Sequence, residues 1–156
     1  MSELRVPTVS VLAEVLCADG RRFQGQIFVP AAALRHPGAT RAAEWLNEPS
    51  SFFPFLPAGG EGPVLFNKRE ILVLTVDAEA DAGDVAEGSE SPVRSVAIEA
   101  ENERLDGRLL IQMPEHHARV LDYLNLPEMF LTLRAGHRHH LVQKERITRV
   151  TEIREE

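Results

Sequence analysis

The sequence predicts a mainly β protein built from two tandem, small barrel-like domains, each with five short strands and one short helix. Two observations carry this prediction: three blocks of sequence recur in the same order, and the apolar residues lie in short runs rich in β-branched side chains. The composition agrees with it, because 44% hydrophobic and 26% charged residues are typical of a globular chain.

The recurring blocks predict an internal duplication. The longest block follows the pattern R-x-x-[DE]-[WY]-L-N-x-P-x-x-F and occurs twice without a gap. A shorter block lies on each side of it, and the aligned pairs are 23–29 with 105–111, 41–52 with 119–130, and 65–71 with 141–147. We therefore expect two related domains at residues 8–76 and 93–153, joined by residues 77–92.

The first copy begins with a predicted hairpin. Two apolar runs, 9–16 and 23–29, flank Ala18-Asp19-Gly20, a turn sequence. A helix is predicted over 41–47, because Ala42, Trp45 and Leu46 share one helical face. Asn47 followed by Pro49 predicts its end. Strands follow at 52–56, 64–66 and 71–76, and the second copy predicts the same order at 95–101, 105–112, 118–125 (helix), 129–134, 139–143 and 147–153.

The joining segment, 77–92, contains six acidic and no basic residues and almost no large apolar side chain. Such a segment buries too little apolar surface to offset its ordering entropy, so we expect a flexible acidic linker. A contact for a basic partner is the alternative interpretation.

Charge and cysteine content limit the partners and the compartment. The formal net charge is −7, and neither half has the basic excess that binding to phosphate backbones requires, so nucleic acid is not an expected partner. Cys17 is the only cysteine, the first residues lack the apolar run of a signal peptide, and no apolar run approaches the length of a membrane span. We expect a cytoplasmic, bacterial protein with no membrane contact.

Each copy resembles the small barrels of the Sm-like and SH3-like proteins. The resemblance lies in the hairpin with Asp19-Gly20 and Gly25, and in the closing pattern Leu-x-x-Lys-x-x-Ile-x-x-[LV], which begins at Leu65 and at Leu141. It implies a five-stranded barrel in each half. The chain departs from the Sm pattern, because the Asp-x-x-x-Asn loop used for RNA is not found and Lys68-Arg69 and Lys144-Glu145 replace the usual Arg-Gly.

The copies differ in polarity along their later strands. Positions that are polar in the second copy are apolar in the first, and the pairs are Thr132 and Pro54, Arg134 and Leu56, Thr148 and Leu72, Arg149 and Val73, and Glu152 and Val76. The first copy is therefore apolar on both strand faces, whereas the second keeps one face for water. The second copy, another protomer or a partner protein could cover the additional apolar surface.

These observations predict a non-catalytic, protein-binding adaptor or regulatory subunit of a larger assembly, without a cofactor. The expected surface for a protein partner, or for self-association through the first copy, consists of Phe52, Phe53, Phe55, Leu56 and Val73. No catalytic residue is predicted, because Cys17 lies in an apolar strand and no serine occurs in a G-x-S-x-G motif.

Two alternatives remain. The first is an Sm-like nucleic-acid-binding module. The second is a metal-binding or metal-sensing protein, because imidazole is a common ligand of transition metals and five histidines lie within 25 residues. The candidate ligands are His116, His117, His137, His139 and His140.

Overall fold

The protein is mainly β: its ten strands form one antiparallel sheet in the computed structural model, which describes residues 7–31, 40–60, 62–81, 92–111 and 119–153. The strands of the first half are β1 (Thr8–Cys17), β2 (Arg22–Pro30), β3 (Phe52–Pro57), β4 (Val64–Asn67) and β5 (Ile71–Asp77). Those of the second half are β6 (Val93–Ala100), β7 (Glu103–Leu110), β8 (Phe130–Ala135), β9 (Arg138–Gln143) and β10 (Ile147–Glu152). The short helices are α1 (Arg41–Leu46), α2 (Ala78–Asp81) and α3 (Val120–Leu124).

Both halves pair their strands in the same order. The first half contributes β5-β1-β2-β3-β4 to the sheet and the second contributes β10-β6-β7-β8-β9. The register also agrees: Phe53 lies opposite Phe66 in β3 and β4, and the aligned residues Leu131 and Val142 lie opposite each other in β8 and β9. We call two residues counterparts when they occupy aligned positions of the two halves.

The two halves share one sheet because β5 pairs with β9, with Val73 opposite Val142 and Leu74 opposite Leu141. This pairing makes the sheet continuous through both halves, with β10 and β4 as its end strands. The expected arrangement of two separate barrel-like domains is not confirmed, because the sheet is not closed. The pairing of two distant strands is a long-range contact for which the local sequence carries no signal.

The sheet carries two hydrophobic cores, and each half contributes to both. The first core lies around Val15, Ile27 and Leu74 and includes Phe130 and Leu141 from the second half. The second core consists mainly of second-half residues, and the first-half residues within it are Leu16, Leu72 and Val73. The halves are therefore joined by buried side chains as well as by backbone pairing.

Gly25 and its counterpart Gly107 allow β2 to approach β3 closely and β7 to approach β8. A Cβ atom on Gly25 would lie 2.1 Å from the carbonyl oxygen of Leu56, and one on Gly107 would lie 2.7 Å from that of Arg134. Both distances are shorter than a real carbon–oxygen contact permits. Glycine therefore recurs at this position because β2 and β7 pass close to the following strand of their own half.

The recurring lysines hydrogen-bond to the backbone of the segment that follows each recurring helix. Lys68 begins a single 3-10 turn and donates from Nζ to the carbonyl oxygen of Glu48 at 2.8 Å. Lys144 begins the equivalent turn and donates to the carbonyl oxygen of Leu126 at 2.8 Å. Burial lowers the pKa of both ammonium groups.

The beginning of the predicted linker is part of the fold. Ala78–Asp81 form α2, and the Asp81 carboxylate is fully buried. Residues 82–91 lie outside the described residues. None of the helices within the described part of the chain is long and apolar enough to cross a membrane.

Candidate protein-binding surface

Three of the five residues predicted to bind a partner lie in the protein interior. Phe53 and Phe55 belong to the first core, where both rings contact Phe66 with centroid distances of 5.7 and 5.5 Å. Val73 belongs to the second core. The sequence alone does not distinguish them from a surface patch, because apolar residues on both faces of a strand look unpartnered until their packing partners are known. As placed, these three side chains are not available to a partner.

The apolar character of β5 is explained by its central position between the two cores. Leu74 and Val76 belong to the first core, whereas Leu72 and Val73 belong to the second. A strand buried on both faces is apolar at successive positions. The sequence leaves open whether the second copy, another protomer or a partner protein covers this apolar surface. In the structure the second half covers β5.

Asn47, at the end of α1, holds the second half by a pair of hydrogen bonds. Its Nδ2 donates to the carbonyl oxygen of Phe130 at 3.1 Å, and its Oδ1 accepts from the amide of the same residue at 2.9 Å. The asparagine side chain thus bonds to β8 as a neighbouring strand would. Phe130 is 2% exposed and Leu141, which lies on the same face of the sheet, is fully buried.

Further hydrogen bonds of buried side chains connect the two halves at this junction. Gln143 donates from Nε2 to the carbonyl oxygens of Lys68, Arg69 and Ile71, at 3.1, 3.1 and 2.7 Å. The buried Asp81 carboxylate lies 2.7 Å from Nδ1 of His139 and accepts from the amide of Ala42 at 2.6 Å. Buried polar groups with such partners hold the two halves in one arrangement.

The counterparts of Phe130 and Leu141 are exposed. Phe52 is 53% exposed and Leu65 is 70% exposed. Both point to the same side of the sheet, because Phe52 lies opposite Asn67 and Pro54 lies opposite Leu65, and side chains alternate along a strand. We call the exposed surface formed by Phe52, Pro54 and Leu65 the edge face. It lies beside β4, which pairs only with β3 among the described strands.

Sequence reasoning identified Phe52 but missed Leu65. The signal was present in the alignment, since Leu65 and Leu141 are identical counterparts. It could not be interpreted without knowing that Leu141 is covered by the other half, whereas Leu65 is at the end of the sheet.

The fifth predicted residue, Leu56, is partly exposed and lines an open cleft of about 730 Å³. Other residues of the cleft wall are Leu12, Gln24, Gln26, Thr75 and Arg138. Leu12 is 70% exposed. The wall mixes apolar, amide and charged side chains without a convergent set of polar groups, so it does not indicate a particular ligand.

The three described histidines of the proposed metal site, His137, His139 and His140, do not come together. His139 is buried against Asp81, whereas His140 contacts the Thr75 hydroxyl at 2.8 Å from Nδ1, and neighbouring residues of a strand face opposite sides. His137 lies in the turn before β9 and is exposed. Within the described ranges no group of three or more His, Cys, Asp or Glu side chains could hold a metal ion. His116 and His117 lie outside those ranges.

Burial also shifts the pKa values of His140 and Cys17. Burial lowers the pKa of His140, which favours the neutral imidazole beside Thr75. Burial and the nearby Asp19 carboxylate raise the pKa of the Cys17 thiol. A nucleophilic cysteine requires the opposite shift, so the position of Cys17 is that of a small core residue.

Comparisons with known proteins found no match to this chain among protein-family models, curated proteins or solved structures.

Proposed function

We propose that this chain is a non-catalytic, protein-binding adaptor that takes its partner on the edge face and the free side of β4. One observation carries the proposal: Phe52 and Leu65 are exposed, whereas their counterparts Phe130 and Leu141 are buried where the second half packs against the first. The same sheet face is thus covered by protein in one half and open in the other. Exposed apolar surface beside a strand edge that no other described strand pairs with favours protein association.

The proposal includes an internal duplication of an ancestral five-stranded unit. Support comes from the identical strand order and from the matching register of counterpart pairs in both halves. Duplication gives the two halves the same packing surface at β3–β4 and β8–β9. After the halves joined through β5 and β9, one of these two surfaces stayed uncovered.

The chemistry of β4 limits the kind of partner. Strand β4 has four residues and follows Pro63, which has no amide hydrogen to donate. A partner would therefore add a short strand along Val64–Asn67 and place apolar side chains over Phe52 and Leu65. Main-chain hydrogen bonds supply affinity in this mode of recognition, and the side chains supply specificity.

A pair of matched charge substitutions tests this function. Leu65→Arg places a cation on the edge face, and Leu12→Arg places the same cation on an equally exposed leucine of β1 that lies away from β4. Proteins that co-purify with the native chain from its own cells would be identified, purified and titrated against each variant. We expect Leu65→Arg to weaken a direct binary complex by about tenfold or more, and Leu12→Arg to leave it within about twofold, since tenfold corresponds to about 1.4 kcal/mol.

Thermal unfolding of both variants serves as the control, because each substituted leucine is exposed and the folded state should keep its stability. Equal loss of binding in the two variants, or none in either, would place the partner elsewhere and remove the edge face from the proposal.

A further inference from the structure

We propose that the edge face takes the β10 end of a second copy of this chain, so that copies associate head to tail. This inference rests on the proposed function, because it names the partner of the same surface. The two ends of the sheet are β4 and β10, which are the counterparts of β9 and β5. Because β5 and β9 pair inside the chain, a β10–β4 pair between two chains would repeat an arrangement that the fold already contains.

The hydrogen-bonding group that holds the internal junction recurs at the β10 end. Asn125 follows α3 as Asn47 follows α1, and its backbone amide is bonded in the same way, to the residue four positions before it. The side chain of Asn125 is exposed and makes no hydrogen bond to any other described residue. In the repeated arrangement it would bond to the backbone of Phe52, as Asn47 bonds to that of Phe130.

The apolar residues of the two ends also correspond. Inside the chain, Phe130 and Leu141 share the first core with Leu46, Ile71 and Leu74. At the β10 end the counterparts of the last three are Leu124, Ile147 and Val150, all of them only partly buried. Next to them, Leu121 is 60% exposed. Phe52 and Leu65 of a second copy would therefore contact apolar side chains that are still partly exposed to solvent.

The opposite face of β10 makes this second junction weaker than the internal one. Arg149 stands where β5 has Val73, and it bonds to Glu99 at 2.7 Å in an exposed ion pair. Pairing would remove part of the water around these charges, which has a cost that Val73 does not incur. We therefore expect reversible, concentration-dependent association. An interface between two different patches builds rings or open chains, and does not stop at a symmetric pair.

Sedimentation velocity of the full chain, from about 1 μM to about 1 mM, tests the inference together with two variants that each disable one end. Leu65→Arg disables the edge face. Asn125→Asp keeps the size of the side chain but removes the amide donor and places a negative charge toward the Phe52 carbonyl oxygen. Each variant alone should associate at least about tenfold more weakly than the native chain.

An equimolar mixture of the two variants gives the sharpest result. Leu65→Arg keeps an intact β10 end and Asn125→Asp keeps an intact edge face, so the mixture should form a complex of one chain of each and nothing larger. If Asn125→Asp associates like the native chain while Leu65→Arg does not, two edge faces pair with each other and the head-to-tail arrangement is wrong. Phe52→Asp replaces Leu65→Arg if thermal unfolding shows that the latter is destabilised.

Failure of this inference can be told apart from failure of the proposed function. If the native chain stays monomeric at the highest concentration, no second copy binds at the edge face. A purified foreign partner whose binding still depends on Leu65, and not on Leu12, would then leave the proposed function intact.

Discussion

Asn47 and Asn125 are identical residues at aligned positions of the same recurring sequence pattern, yet they occupy different environments. Asn47 makes two hydrogen bonds to the backbone of Phe130, whereas the Asn125 side chain is exposed to solvent. Both are the C-cap residue of their helix, and each backbone amide bonds to the carbonyl oxygen four residues before it. The local sequence therefore predicts the helix end, and the fold adds the second role at one position only.

Asn47→Ala should lower the free energy of unfolding by about 2 kcal/mol, because two hydrogen bonds are lost and the partly buried Phe130 backbone groups are left without that partner. Asn125→Ala is the matched control and should stay within about 0.5 kcal/mol. Urea denaturation at micromolar concentration measures both values. Equal losses would mean that the recurring asparagine acts only through its helix.

His140 should make the free energy of unfolding depend on pH. Because burial lowers its pKa, the folded chain binds fewer protons than the unfolded chain at pH values between its folded pKa and about 6.5. The free energy of unfolding therefore falls as the pH falls through this window, and the stability that the neutral imidazole allows is fully present above it.

Urea denaturation at about pH 7.5 and about pH 5.5 measures this effect as the difference between the native chain and His140→Gln, whose side chain does not titrate. The variant should lose less stability on acidification than the native chain. An equal or larger loss would show that other groups cause the acid dependence.

Strand β5 has a buried residue at nearly every position because it lies between two cores, whereas its counterpart β10 is at the end of the sheet and carries polar residues. Val73 and Arg149 occupy aligned positions of these strands. The charged residues of β10 are typical of an end strand, where they discourage unintended pairing.

Val73→Arg should destabilise the fold by about 3 kcal/mol or more, because it places an unpaired charge in the second core. The reciprocal change, Arg149→Val, should cost less than about 1 kcal/mol, since it removes an exposed ion pair. Chemical denaturation of the two variants separates them. Val73→Arg with native stability would show that Val73 faces solvent and that the pairing of β5 with β9 is wrong.

Much of the element order could be predicted from the sequence, and the reasons are local. The first hairpin follows from two apolar runs around a glycine turn, and α1 follows from the spacing of Ala42, Trp45 and Leu46 together with the stop at Asn47. The recurring glycines correspond to a close approach of two strands. The recurring lysines correspond to hydrogen bonds that hold the segment after each helix.

The candidate site was only partly predictable, because exposure depends on long-range pairing. Phe53, Phe55 and Val73 have the composition of a surface patch or of a core, and only their packing partners decide between the two. Both rings pack against Phe66 of their own half, and Val73 lies opposite Val142 in the β5–β9 pair. Leu65 has an apolar neighbour on each side in the chain and gives no local sign that it is 70% exposed. The distinction comes from its position at the end of the sheet.

The molecule as a whole should unfold in one step despite its two cores. Each core contains residues from both halves, and β5 and β9 serve as a shared centre. Loss of either half would expose buried residues of the other, so neither should remain folded when its neighbour unfolds.

Probes in the two halves can test this cooperativity, because Trp45 and Tyr123 are the only residues of their kinds. Trp45 fluorescence reports on the first half, and the fluorine resonance of a fluorotyrosine at position 123 reports on the second. The two urea transitions should coincide in midpoint and slope. Separate transitions would mean that the halves are independent domains.

Amide hydrogen exchange of β4 and β9, with and without the bound partner, tests the central claim that the same sheet face is covered in one half and open for a partner in the other. In the dilute, unbound chain, the amides of β9 should exchange as slowly as those of the core, and the β4 amides that point away from β3 should exchange quickly. Binding of a partner or of a second copy should slow exchange in β4 and leave β9 unchanged. Slow exchange throughout β4 in the unbound monomer, or no slowing in the complex, would contradict the account.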